Sequence, residues 1–538
     1  MTSLLEPARR ASLEARSVVA LVRAGVFGLD PPQRMRAIVR AIRELGPFGA
    51  TPRVAALRHG DRCAIADDRG SISFAELDDQ IDRLAAALHS RGLGPGLSAG
   101  ILCRNHRSPL LVSFAAARLG MNVIWLNTAF SPRQAREVAE REGVDLLVHD
   151  ADLAEIVAEV EPPHGRLVCA VDGGQPDDLD RLIAGAPPGP PPPPSRFGRV
   201  VLLTSGTTGT PKGAPRADQR SFTLAGGVLQ RMPMRAREAT VIAPPMYHGT
   251  GLLITLLSLS LGSTLVLRRR FDPAQLLDDI AAHHATGVCV VPVMLQRVLA
   301  LGEEEIRRRD LSSLRVVFSA GSQLPATVAL RTMELLGDVV YNLYGSTEVS
   351  VATLATPADI RAAPASVGRP TLGVRVRLLD ERGGEVPRGT TGRIFVGTQS
   401  PFEGYTGGGG KEVIDGLLST GDVGHLDAQG RLYIDGRDDE MIVSGGENVF
   451  PREVEELLVT HPAVADAAAI GVDDADFGQR LRAFVVLRPG GAASAEEVQA
   501  FVRDNLARYK VPREVVFLDE LPRNPTGKIL KRELRTVV

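Results

Sequence analysis

Short apolar runs alternate with stretches of helical period through most of this chain. Residues 74–91 carry Leu77, Ile81, Leu84 and Leu88 at the spacing that places them on one helix face. The runs at 99–103, 122–126 and 144–148 read as buried strands, with helices at 109–119 and 132–142 between them. The pattern resumes with strands at 264–267, 287–291 and 316–319 and a helix at 273–283. Such alternation predicts an α/β fold of parallel-type subdomains with helices on the sheet faces. From 370 to 435 it gives way to glycine-rich, short alternating strands such as 374–379 and 392–396, which predict a small β subdomain. A compact α+β unit closes the chain, with a helix at 451–458, strands near 467–472 and 481–487, and helices at 495–506 and 529–535.

At 538 residues the chain is too long for one core. The expected division is a helical extension at 1–50, a large domain at 51–437, a hinge at 438–439 and a small mobile domain at 440–538. Residues 187–194 are seven prolines and one glycine, which reads as a stiff polyproline linker, with an SH3-type ligand as the alternative. In the extension, Val18, Val19, Leu21, Val22, Val26 and Phe27 form an apolar patch, followed by Arg34, Arg36, Arg40 and Arg43. A helix pair packed on the body is expected, and peripheral membrane contact is the alternative.

Charge and cysteine usage narrow the class. A net charge of −2 leaves no footprint for nucleic acid. Cys63, Cys103, Cys169 and Cys289 show no metal-ligand spacing, no signal peptide is evident, and no apolar run reaches about 18 residues. These features predict a reducing, cytoplasmic setting without disulfides. Only five of the 62 basic residues are lysines (Lys212, Lys411, Lys510, Lys528, Lys531). In a chain that defaults to arginine, a lysine marks a place that needs a compact point charge.

One such place is residues 204–213, Thr-Ser-Gly-Thr-Thr-Gly-Thr-Pro-Lys-Gly, after the apolar run 200–203. Glycines let backbone N–H groups approach an anion, hydroxyls add donors and Lys212 adds charge, so a polyphosphate is the natural guest. It is not a Walker A loop, because Gly213 follows the lysine and Pro211 and Pro215 bar a helix start. A plain turn between strands is the alternative. Further on, His248 sits between a proline-rich turn and glycines ahead of an apolar segment at 252–261, placed to line a pocket. Ala320-Gly321-Ser322 ends a predicted strand, where a planar ligand can lie. Tyr344-Gly345-Ser346-Thr347-Glu348 combines a stacking ring, hydroxyls and a carboxylate. Beside a polyphosphate that carboxylate needs an intervening cation, so Glu348 is a candidate Mg²⁺ ligand, a helix cap at Ser346 or Thr347 being the alternative. Asp422, in Ser-Thr-Gly-Asp, suits two ribose hydroxyls or an Asx turn. Lys528 ends the loop Asn-Pro-Thr-Gly-Lys of the last unit, a charge that can be brought to a site and withdrawn.

Together the blocks at 204–213, 244–251, 344–348, 419–422, 436–448 and 524–528 resemble, in order and spacing, the adenylate-forming superfamily of AMP-binding enzymes. The likeness spans roughly residues 60–538 and is similar in particular to fatty acyl-CoA synthetases. It implies ATP-dependent conversion of a carboxylic acid, medium- to long-chain, to an acyl-adenylate and then an acyl-CoA, with AMP and pyrophosphate released. It assigns Thr204, Ser205, Gly206, Thr207, Thr208, Gly209 and Lys212 to the phosphates. Ala320, Gly321, Ser322 and Tyr344, with Gly345, go to the adenine end, and Thr347 to the α-phosphate. Glu348 goes to Mg²⁺, Asp422 and Arg437 to the ribose, and His248 to the gate of the acyl pocket. Asp439 becomes the hinge, Gly445 and Gly446 the path for CoA, and Lys528 the bridge between carboxylate and nucleotide. Two segments depart from the family pattern: Gly404–Lys411, usually Gly-Tyr-Trp-Asn and longer, and Leu417, where an aromatic is common. Loading an acyl carrier protein, luciferase-type oxygenation and a silent binding module are the alternatives. The partners implied are the acid, ATP and CoA, without nucleic acid.

Overall fold

A computed structural model describes residues 2–169, 176–187, 189–204, 211–216, 221–399, 402–440, 442–444, 447–474, 478–525 and 527–537. The alternating first part folds into two sheets. One has strand order 166–169, 146–150, 98–102, 122–125, 200–203, 213–216, all parallel except the last. The other has nine strands, and six of them, from Cys63–Asp67 through Val340–Tyr344, are parallel, with antiparallel strands closing both edges. Strands such as Leu146–Asp150 and Gly287–Val290 are buried along their whole length, as parallel strands covered on both faces must be. Residues 375–437 form an antiparallel five-stranded sheet, and the last part forms another sheet beginning at Ile442–Ser444. The mixed α/β architecture with a separate small C-terminal domain agrees with the sequence reading.

Two helices occupy the N-terminal part of the chain. Helix α1 (Thr2–Ala24) packs on the helix Thr223–Arg231. Helix α2 (Pro32–His59) passes residue 50 and kinks at Gly46, whose φ is +72° ahead of Pro47. It packs on the helices Phe74–Ser90, Arg107–Arg118 and Gly249–Ser260. The apolar patch is divided: Leu21 is buried, while Val19 and Val22 face outward.

A polar network ties α2 to the helices Phe74–Ser90 and Arg107–Arg118. Arg118 is fully buried and donates to Asp82 at 2.5 Å and to Asp78, and Arg53 of α2 pairs with the same two carboxylates. Deleting one partner of a buried ion pair leaves the other charge desolvated. Arg118→Ala is therefore expected to destabilise the large domain by about 3–5 kcal/mol in urea unfolding; a loss under about 1 kcal/mol would contradict the network's role.

Candidate active site

The strands that flank the phosphate-loop candidate pair antiparallel, with Leu203 opposite Gly213. Ser205, Gly206, Thr207, Thr208 and Gly209 lie outside the described residues. At the ends of these strands Thr204 N–H donates to the Lys212 carbonyl at 2.9 Å, and Lys212 N–H to Thr204 Oγ1 at 3.2 Å. Thr406 N–H donates to the Gly213 carbonyl at 2.9 Å, its hydroxyl to Glu142 at 2.7 Å, and Arg141 holds the Pro211 carbonyl. A β-carbon on Gly213 would stand 2.5 Å from both Glu142 Oε2 and Thr406 Oγ1, so a side chain there would displace one of them. Lys212 Nζ lies 5.4 Å from the Tyr405 ring centroid, a cation–π contact that leaves the ammonium exposed.

Tyr405 in turn donates to Glu348 Oε1 at 2.5 Å, and Ser346 Oγ donates to Oε2 at 2.8 Å. The segment that departs from the family pattern thus reaches the candidate metal ligand. Residues 345–350 form a tight turn in which Ser346 Oγ receives the Glu348 N–H at 3.3 Å, so the hydroxyl caps a turn rather than a helix. Gly345 is required here, because a β-carbon would collide with the Ser350 carbonyl.

Tyr344 ends a central strand, next to the strand whose end carries Ala320, Gly321 and Ser322. Its hydroxyl donates to Asp422 Oδ2 at 2.6 Å, across to the five-stranded sheet, and Arg437 donates to Oδ1 at 3.1 Å. Asp422 and Arg437 face each other in the antiparallel register. Burial, and then the Asp422 charge, push the Tyr344 phenol well above its usual range, so it stays a donor.

His248 precedes the helix Gly249–Ser260 and is buried, with Nε2 lacking a protein partner among the described residues. Burial lowers its pKa to about 4, which keeps the imidazole neutral. Asn105 sets its position by donating to the Pro244 carbonyl at 2.8 Å and receiving the Met246 N–H at 2.9 Å. Thr250 Oγ1 lies 4.0 Å from where a β-carbon of Gly321 would be, so the histidine loop and the Ala320–Ser322 turn adjoin.

The loop carrying Lys528 docks at the same edge. A β-carbon on Gly527 would meet Val293 and come within 3.8 Å of Val291, which also borders Gly321 at 3.5 Å. The loop is closed on itself: Lys528 N–H donates to Asn524 Oδ1 at 2.9 Å, and Asn524 N–H to the Lys528 carbonyl at 2.9 Å. Gln323, next to Ser322, donates to Glu456 of the last domain. Asp439 lies in the single helical turn Asp438–Glu440 between the two last sheets. Gly445 and Gly446 lie outside the described residues.

Glu142, Asn105, Tyr405 and Thr406 are site-building residues with no local sequence signal, since their partners are 57 to 264 residues away. A further cluster also escaped sequence spacing. Cys103, His106, Asp150 and Cys169 meet at the strand ends of the six-stranded sheet, with the two sulfurs 3.4 Å apart. Ser108 N–H donates to His106 Nδ1 at 3.2 Å, so Nε2 carries the proton that Asp150 receives at 2.8 Å. Both ring nitrogens of His106 are therefore used internally.

Two family models match the chain: AMP-binding enzyme over residues 53–406 and AMP-binding enzyme C-terminal domain over 453–528. A feruloyl-CoA synthase of Amycolatopsis sp is 34% identical over 490 residues, 90% of this chain and 96% of the relative. The fatty acid–[acyl-carrier-protein] ligase ScoC of Streptomyces coeruleorubidus is 29% identical over 487 residues, 88% of this chain and 92% of the relative. Among solved structures, o-succinylbenzoate CoA synthetase of Bacillus subtilis in complex with its acyl-adenylate intermediate superposes with a TM-score of 0.78 at 27% identity, covering 91% of this chain and 98% of that one.

The buried histidine has a pH signature. With a folded pKa near 4 and an unfolded value near 6.5, the unfolded chain binds a proton between those limits that the native protein does not. Stability therefore falls as pH drops from about 6.5 toward 4. In His248→Gln the loss of unfolding free energy between pH 7 and pH 5 is expected to be smaller by about 1–2 kcal/mol. Parallel curves for the two proteins would contradict a buried, neutral His248.

Proposed function

The chain belongs to the AMP-binding enzyme family, and we propose that it joins a carboxylic acid to CoA in two steps at the edge just described. First, a carboxylate oxygen attacks the α-phosphorus of ATP, and the bond to pyrophosphate breaks. Second, the thiol sulfur attacks the acyl carbon, and AMP leaves. The observation that carries this reading is the docking of the Asn524–Lys528 loop beside Gly321.

Both reactants of the first step are anions, so rate comes from positioning and charge neutralisation. Residues 204–213 would cradle the β- and γ-phosphates, with Lys212 as the charge. Ala320–Ser322, Tyr344 and Gly345 would border the adenine. Asp422, already held by Tyr344 and Arg437, would accept from the ribose hydroxyls. Thr347 would contact the α-phosphate, and Lys528 would lie between the carboxylate and the nucleotide. Glu348 fits Mg²⁺: it is a hard oxygen donor held by two hydroxyls, and among the described residues no lysine or arginine pairs with it. When bound, that ion would offset phosphate charge. For the second step the last domain would turn about Asp438–Asp439, withdraw Lys528 and bring Gly445 and Gly446 to the thiol path.

The acid is proposed to be a medium- to long-chain fatty acid. Leu252, Ile254, Leu257 and Leu259 make the helix after His248 apolar and buried, and each buried methylene contributes about 0.8 kcal/mol. Residues 1–50 would meet the lipid phase into which such an acid partitions. Transfer to a carrier protein is the second reading, favoured by the likeness to ScoC.

Mass spectrometry of products from ATP, Mg²⁺ and acids of graded length and aryl type, with and without CoA, tests both. Acyl-CoA from a window of alkyl acids is expected; adenylate that persists despite CoA would favour the carrier. Lys528→Ala should slow adenylate formation at least about a hundredfold yet leave thioester formation from supplied adenylate largely intact. Equal loss of both steps would contradict the two-state scheme.

A further inference from the structure

The outward side of the N-terminal extension carries an unusual surface. Six of the eleven large hydrophobic side chains exposed among the described residues fall between Val19 and Ile42. The same stretch is basic. Arg9, Arg10, Arg16, Arg23, Arg34, Arg36, Arg40 and Arg43 are all exposed, against Glu14, Asp30 and Glu44 between residues 9 and 44, with Glu44 paired to Arg40 at 2.8 Å, in a chain whose net charge is −2. Asp30 is occupied by Arg58 and Arg34.

The first half of α2 arranges these groups in order around its circumference. At about 100° per residue, buried Ile38 and Ala41 share one side with Leu45. Met35, Val39 and Ile42, which are 41%, 51% and 43% exposed, fall together within roughly 60° on the adjoining flank. Arg36, Arg40 and Arg43 follow on the next flank. Leu29, fully exposed in the turn before α2, extends the apolar flank at its N-terminal end. An apolar stripe between a protein-facing side and an arginine band is the layout of a helix lying at a lipid interface. The body already supports α2 through the Arg53 pairs with Asp78 and Asp82, so the helix need not fold on contact. No helix among the described residues is long and apolar enough to cross a membrane.

We infer that this flank of α2 with Leu29 is a docking surface for a bilayer containing anionic phospholipid. Leu29, Met35, Val39 and Ile42 enter the acyl boundary, and the arginines engage headgroup phosphates, which their forked donors match. The surface lies before residue 53, where the match to the AMP-binding family begins. It rests on none of the catalytic assignments above. Charge complementarity selects the partner: the arginine band sets the sign, and the apolar stripe favours a lipid interface over a dissolved polyanion.

Co-sedimentation of the full-length protein with vesicles tests this. The protein should pellet with phosphatidylcholine vesicles containing phosphatidylglycerol, pellet little with phosphatidylcholine alone, and be released by added salt. The variants Met35→Ser/Val39→Ser/Ile42→Ser and Arg36→Gln/Arg40→Gln/Arg43→Gln should each melt as the wild type does. Removing three arginines should lower the vesicle partition coefficient by roughly a hundredfold, and removing the apolar stripe should lower it by at least tenfold. Wild-type protein that stays in the supernatant with anionic vesicles would overturn the inference. So would pelleting that both variants retain.

Discussion

The candidate site depends on one close approach between domains. Gly527 has a φ of +78° and sets its backbone against Val293. Any side chain there would strain the turn and push the loop outward, taking Lys528 with it. Around this contact the domains touch through Gln323 with Glu456 and through Arg393, which bonds Asp438 at 3.0 Å. Phe450 of the last domain also packs against Gly436. The proposed delivery and withdrawal of Lys528 would require these contacts to open between the two steps.

Electrostatics explain why the rest of the edge looks as it does. Asp422 is paired with Arg437 and receives the Tyr344 hydroxyl, so beside the proposed nucleotide it would not stand as a bare charge. Glu348 is held by two hydroxyls and pairs with no lysine or arginine among the described residues, which suits the proposed divalent cation. Lys212 packs over the Tyr405 ring and, among the described residues, pairs with no carboxylate, so its charge would be available to the proposed phosphates. His248 is buried and neutral, so at its proposed place by the acyl pocket it would add no charge to compete for the substrate carboxylate.

How much of this was legible in the sequence follows from contact distance along the chain. The α/β alternation and the small last domain were readable because helix and strand periods are local. The glycine-hydroxyl loop could be proposed from sequence because its chemistry lies within ten residues, most of which lie outside the described residues. The division of the strands into two sheets was not, since strand order depends on crossovers such as the one that pairs Ile65 with Leu265. Nor were Tyr405, Asn105 and Glu142, whose roles exist only through distant partners. Helix α2 overran the expected boundary at residue 50 because Pro47 and Pro52 are accommodated after the Gly46 kink, and its last turns are held by packing. The cysteines looked scattered, yet sheet order brings Cys103 and Cys169 to either side of Asp150.

The central claim is that a carboxylate attacks the α-phosphorus while the Lys528 loop is docked. Isotope transfer tests it most directly. An acid labelled with ¹⁸O in its carboxylate should pass one labelled oxygen to the AMP released during CoA-dependent turnover, because the bridging oxygen of the adenylate stays with phosphorus when the thiol attacks carbon. AMP that carries no label, while labelled acid is converted to thioester, would contradict the account.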